Sequence, residues 1–147
     1  MVKQKVRVVT NRRTQNTDQA NLFHYYWSLL VNHPELNRLE IRDKEHGGEI
    51  RFAQEFNGRR WQFDVAFPEI LVAVEIDGGR VMCRFSPKQN RYIAVGHHNT
   101  DDDLEKHNTA LMLGWAVFHF SPGMLNKNPE HCINQVAIEI RRRLSDK

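Results

Sequence analysis

Residues 61–79, WQFDVAFPEILVAVEIDGG, decide how this chain folds. Ile70, Val72, Val74 and Ile76 occupy one face of an extended segment, while Leu71 and Ala73 begin the other. A strand over Ile70–Asp77 that is apolar on both faces belongs in the middle of a sheet, covered above and below. It closes with Glu75 and Asp77 on the Leu71 face, followed by Gly78-Gly79. Pro68-Glu69 turns the chain into it from a segment that carries Asp64.

Upstream, Asn57-Gly58 is a strong short signal for a β-hairpin, flanked by Glu49–Phe56 and Arg59–Phe67. With a two-residue loop, Glu55 and Asp64 share one face, and Phe52, Phe56, Trp61 and Phe63 pack on the other. Further upstream, Phe23, Tyr26, Trp27 and Leu30 recur at helical spacing, predicting a helix over 18–31 capped by Thr17 or Asp18. His33-Pro34 ends it, and His46-Gly47-Gly48 reads as a turn. Downstream, residues 80–98 read as a long irregular loop. A helix capped by Thr100 runs to about Leu113, with three aspartates in its first turn and Gly114 just past its end. Trp115–Phe120 is a strand, and Asn128-Pro129 opens a last helix with the stripe Ile133, Val136, Ile140 and Leu144. The expected fold is therefore α/β: a central mixed sheet that includes a β-hairpin, flanked by helices.

If the Asp64 and Glu75 strands are neighbours, Asp64, Glu75 and Asp77 converge at one end of the sheet. Burying one ionised carboxylate costs several kcal/mol, and crowding three costs more. Either protons are taken up or a cation sits among them, and an all-oxygen donor set suits Mg²⁺ or Mn²⁺. A lone Asp at a strand end is commonly a turn residue. That account does not serve Glu75, which follows an apolar run in a strand expected to be central.

The order of motifs resembles the PD-(D/E)XK nuclease superfamily, and within it the very-short-patch-repair-like endonuclease branch with its small phage and bacterial members. The residues that carry the likeness are Arg59-Arg60-Trp61, Phe63-Asp64, Pro68-Glu69, Val74-Glu75-Ile76-Asp77-Gly78-Gly79, Gly96-His97, Asp103, Glu105-Lys106, Asn108 and Leu113-Gly114-Trp115. They span roughly residues 49–125. The resemblance implies a restriction-endonuclease-like fold and a metal-dependent nuclease acting on nucleic acid, DNA in the first place. Asp64 and Glu75 match its metal-binding pair, and Glu55 matches a polar position near the site. Asp77 stands where the superfamily usually has lysine, as a third ligand or a water-positioning group. The missing cation would then come from Lys106 or Arg80. Asp103, Lys106, His107 and Ala110 share one helical face, which would direct Lys106 toward the sheet end. His97 is a candidate acid or base.

The remaining signals are compositional. The 147 residues read as one nuclease domain with a basic N-terminal arm over residues 1–16, where Lys3, Lys5, Arg7, Arg12 and Arg13 carry no acidic counterpart. Net charge is only +3, but basic groups at Arg12, Arg13, Arg59, Arg60 and Arg80 beside an acidic focus suit a phosphate backbone meeting a metal site. No apolar stretch is long enough to span a membrane, and no secretory signal is present, so a cytoplasmic setting is expected. Cys83 and Cys132 form no disulfide framework or zinc motif. Two other readings stay open. One is a histidine-metal nuclease built on His97, His98, His107 and Asn108. The other is a non-catalytic nucleic-acid-binding module with a decayed nuclease fold, which the absent Glu-x-Lys lysine keeps alive.

Overall fold

The computed structural model describes residues 15–76, 82–95 and 101–147. Its elements are, in order, α1 (Gln15–Leu30), α2 (Pro34–Asn37), β1 (Arg42–Asp43), α3 (Gln54–Asn57), β2 (Val65–Phe67), β3 (Val72–Ile76), β4 (Met82–Ser86), β5 (Arg91–Val95), α4 (Asp101–Met112), β6 (Ala116–Phe120), α5 (Pro122–Lys127) and α6 (Pro129–Ser145). The main sheet has the order β1-β2-β3-β6. β2 and β3 are antiparallel and β3 and β6 parallel, so the sheet is mixed, and β3 lies inside it as its two apolar faces demand.

Alternation along β2 and β3 divides the core in two. Val65, Phe67, Val72, Val74 and Ile76 point to one face, where Phe23 and Trp27 of α1 and Ile133, Val136 and Ile140 of α6 close the larger cluster. Ala66 and Ala73 point to the other, against Phe63, Trp115 and Ala110 of α4. The parallel β3–β6 pair needs a crossover, and α4 supplies its helical part on the alanine face. α4 ends as its sequence predicts. Gly114 takes a φ of 88°, its N–H donates to Leu111 O, and the Trp115 N–H reaches back to Ala110 O. That pair of bonds is a Schellman cap. At α6, Asn128 Oδ1 accepts from the His131 N–H and Pro129 fills the first turn.

Four expectations are corrected. The hairpin over 49–67 does not form. Asn57-Gly58 instead ends the single helical turn α3, with Gly58 at φ 76° and its N–H donating to Gln54 O at 2.9 Å. A glycine with positive φ serves a helix C-terminus as well as a tight hairpin, so the dipeptide alone does not choose. Phe52, Trp61 and Phe63 still gather, Phe52 stacking on Phe63 at 4.2 Å, but Phe56 is 56% exposed. The expected loop over 80–98 contains instead the β4–β5 hairpin, paired from Ser86↔Arg91 to Met82↔Val95, with Asn90 at φ 48° in its turn. α1 is already helical at Gln15, so Thr17 and Asp18 lie inside the helix, and residues 1–14 of the expected basic arm lie outside the described residues. Finally, the strand expected from Ile70 starts at Val72, because Leu71 turns at φ 57°. The Arg143 guanidinium, donating to Leu71 O and Gly114 O, holds that corner.

Candidate active site

The β2–β3 register matches Val65 with Val74 and Ala66 with Ala73. Carried one residue further, it sets Asp64 opposite Glu75. Both side chains then fall on the alanine face, two residues beyond Ala66 and Ala73 along their strands. The Asp64 carboxylate is fixed there by the Ile76 N–H, which donates to Oδ2 at 2.7 Å. Directly opposed like charges destabilise a strand pair unless a proton or a cation intervenes.

Glu75 shows how the conflict is resolved without an ion. Its side chain is 13% exposed and accepts from the Lys106 ammonium, which α4 brings down onto the alanine face. Burial pushes the Glu75 carboxyl up from 4.5 to about 8. The Lys106 ammonium works against that rise, while the neighbouring Asp64 carboxylate adds to it by repulsion and by accepting the shared proton. Lys106 is itself 23% exposed, and its ammonium lies 5.8 Å from the centre of the Phe63 ring. Helical spacing anticipated this direction, since Ala110, one turn on, is fully buried in the same interface.

Two residues enter that sequence reasoning had not singled out as part of the site. Glu49 is half-buried, and its carboxyl is also raised, first by burial and then by the charge of Asp64, with Lys44 and Lys106 opposing. Its only sequence signal is an isolated acid between Gly47-Gly48 and an apolar residue. His119 of β6 is the register partner of Glu75, and its Nε2 lies 3.3 Å from Nδ1 of His107 on α4. The alternation of Val117, His119 and the flanking phenylalanines carried that signal. A row therefore crosses the sheet from Asp64 through Glu75 to His119, with Lys106 and His107 above it.

The other expected residues fare differently. With no hairpin, Glu55 has no register to place it on the Asp64 face; it stands exposed in the first turn of α3. Arg59 is engaged by an acid, pairing with Asp102 in the first turn of α4 and lying over the Trp61 ring at 4.4 Å. The Trp61 indole N–H donates to the same carboxylate at 3.1 Å. Arg60 is exposed. Asp77, Arg80, His97, His98, Arg12 and Arg13 lie outside the described residues.

Among the described residues, three potential ligand atoms come within 4.8 Å of one another only in a different place, at His24, Asp43 and His46. Asp64 and Glu75 thus offer an opposed pair, with the Lys106 ammonium bonded to Glu75. No helix among the described residues is long and apolar enough to cross a membrane. No protein family, no curated protein and no solved structure matches this chain.

Proposed function

We propose that this chain is a divalent-metal-dependent nuclease that hydrolyses phosphodiester bonds, most simply a DNA endonuclease with a restriction-endonuclease-like fold. The observation that carries the reading is the meeting of Asp64, Glu75 and Lys106 on the alanine face of the sheet. A buried carboxyl that takes up a proton beside a second carboxylate is a site where a cation can replace that proton. The donor set fits: both groups offer hard oxygen ligands, and Glu49 stands near enough to feel the Asp64 charge. Bound there, Mg²⁺ or Mn²⁺ would acidify an attacking water and offset phosphate charge.

The chain's own residues supply the rest. Asp64 is held by the Ile76 N–H, and Glu75 would give up its proton to hold the cation. Lys106 places a positive charge within a hydrogen bond of Glu75, where it can stabilise charge that builds on a scissile phosphate. On this reading Lys106, from a helix, would take the part of the lysine that the Glu-x-Lys pattern lacks at residue 77.

The test is nicking of supercoiled plasmid and cleavage of branched and linear DNA, with Mg²⁺, Mn²⁺ or chelator. Cleavage should need the cation, and Asp64→Asn should abolish it while keeping DNA binding. Cutting by the pure protein in chelator, or near wild-type turnover by Asp64→Asn, would overturn the reading. DNA binding without cleavage under any cation would leave the chain a non-catalytic binding module.

A further inference from the structure

A second cluster lies where α1 meets β1, apart from the carboxylate pair. Asp43 is fully buried, and its Oδ1 accepts from the backbone N–H groups of Glu45 at 2.9 Å and His46 at 2.8 Å. Nδ1 of His46 stands 2.8 Å from Oδ1 and 3.1 Å from Oδ2 of the same carboxylate. Nδ1 of His24, on α1, is 3.6 Å from Oδ2, too far for a hydrogen bond. That nitrogen is shut off from solvent and has no hydrogen-bond partner. The two imidazoles stack face to face, with centroids 3.9 Å apart and planes within 3°.

Each of these facts asks for an explanation. A buried, unpaired imidazole nitrogen aimed at a carboxylate is costly. Were Nδ1 of His24 a donor, it could close to the distance that His46 adopts. Were it the bare lone pair, it would face the oxygen's lone pairs, unless a cation lay between them. The loop that brings His46 round is also unusually fixed. Gly47 and Gly48 both take positive φ, and the Arg42 side chain donates to their carbonyls at 2.6 and 3.1 Å.

We propose that His24, Asp43 and His46 form a site for one borderline-soft divalent ion of the Zn²⁺ class, separate from the hard-cation pair of Asp64 and Glu75. Two imidazole nitrogens and one carboxylate are a three-ligand zinc set that leaves the fourth position to water. Tetrahedral bonds of about 2.0–2.1 Å put neighbouring ligand atoms about 3.3 Å apart. The Asp43–His24 and Asp43–His46 separations straddle that value. The parallel stack points the two nitrogen lone pairs side by side, so one ring must turn for both to converge. His46, 45% exposed at its side chain, is the ring that can turn. Mg²⁺ prefers oxygen ligands and is not expected here. Binding clamps α1 to the loop that runs on to Glu49.

The experiment uses the full chain, stripped with chelator and dialysed, then titrated with Co²⁺ and with Zn²⁺. Expected are one equivalent of Co²⁺ showing the visible bands of four-coordinate cobalt, displacement by Zn²⁺, and a higher melting temperature. Outer-sphere losses alone cost about 10–100-fold in affinity, so His46→Ala should weaken Zn²⁺ binding roughly a hundredfold or more. His24→Gln should do likewise, with folding of both checked by circular dichroism. Asp64→Asn should leave the four-coordinate Co²⁺ bands and the tight Zn²⁺ equivalent unchanged, and so should His107→Gln, which removes the other close histidine pair among the described residues. No Zn²⁺ binding tighter than that of free imidazole, or binding that survives His46→Ala, overturns the proposal. Loss of binding in His107→Gln with retention in His46→Ala moves the ion to the other pair and overturns it equally.

Discussion

Replacing Glu75 with glutamine should stabilise the metal-free protein at alkaline pH and leave it unchanged at acid pH. Burial lifts the Glu75 carboxyl from 4.5 to about 8. Below pH 4.5 the group is protonated in folded and unfolded chains alike, and no cost arises. Between 4.5 and 8 the unfolded chain releases the proton and the folded chain keeps it. Wild-type stability therefore falls as pH rises, by up to ~1.4 kcal/mol per pH unit. Above 8 the whole cost is expressed, with a ceiling of about 5 kcal/mol. Water reaching a side chain that is 13% exposed reduces this, and roughly 2–4 kcal/mol is expected. Glutamine keeps the shape and stays neutral, so the variant escapes the loss. At about 2–4 °C per kcal/mol for a chain of this size, Glu75→Gln should melt roughly 4–16 °C above wild type at pH 9. The two should coincide within about 2 °C at pH 4.5. Calorimetric melts of both proteins in chelator, from pH 4.5 to 9, give the difference curve directly. A difference that is flat across this range would refute the buried, proton-holding Glu75. A variant that is less stable at pH 9 would show that the Lys106 ion pair outweighs burial.

Lys106→Met should lower turnover of a metal-activated cleavage by roughly 10²-fold or more, the scale of losing one transition-state charge partner, with a much smaller change in the Mg²⁺ activation midpoint. Single-turnover kinetics over a Mg²⁺ series separate the two, and full activity would return the role to a residue outside the described segments. Gly58→Ala should cost about 1 kcal/mol through its backbone alone, because φ is 76° and a Cβ there meets nothing within 4 Å. With both variants measured in urea melts, Gly58→Asn should cost less, since asparagine tolerates this conformation, and equal losses would point to a contact rather than to φ.

Different parts of this architecture were legible to different degrees. The strand over 72–76, its central position and the helices around 101–112 and 129–145 follow from local alternation, spacing and caps, which act within one segment. The hairpin at 57–58 failed because its signal was conformational and not pairing-specific: Gly58 needs positive φ in either structure, and partners decide between them. Phe52 and Phe63 could satisfy their burial by gathering against Trp115, with Trp61 stacked on Phe52, without a ladder between their backbones. The β4–β5 hairpin was hidden for the opposite reason. Its turn, Pro87-Lys88-Gln89-Asn90, lacks glycine and uses asparagine for the left-handed residue. Glu49 was unreadable as a site residue because what makes it one is its closeness to Asp64, a tertiary fact.

The two faces of the central strand show why a reactive group can sit at its end. On the side of α1 and α6, valines, isoleucines and phenylalanines fill the space between sheet and helix. On the side of α4, Ala66, Ala73 and Ala110 meet, and their small side chains let the helix approach closely. A lysine side chain has a limited reach, so its ammonium bonds Glu75 only if the helix axis lies near the sheet. Packing density thus sets the position of Lys106, and the strand register sets Asp64 against Glu75. The charges could not be brought together by sequence proximity, since residues 64, 75 and 106 are far apart along the chain. They meet because an antiparallel turn and a parallel crossover return the chain to the same edge of one alanine-lined face. The core on the opposite face offsets the cost of holding them there.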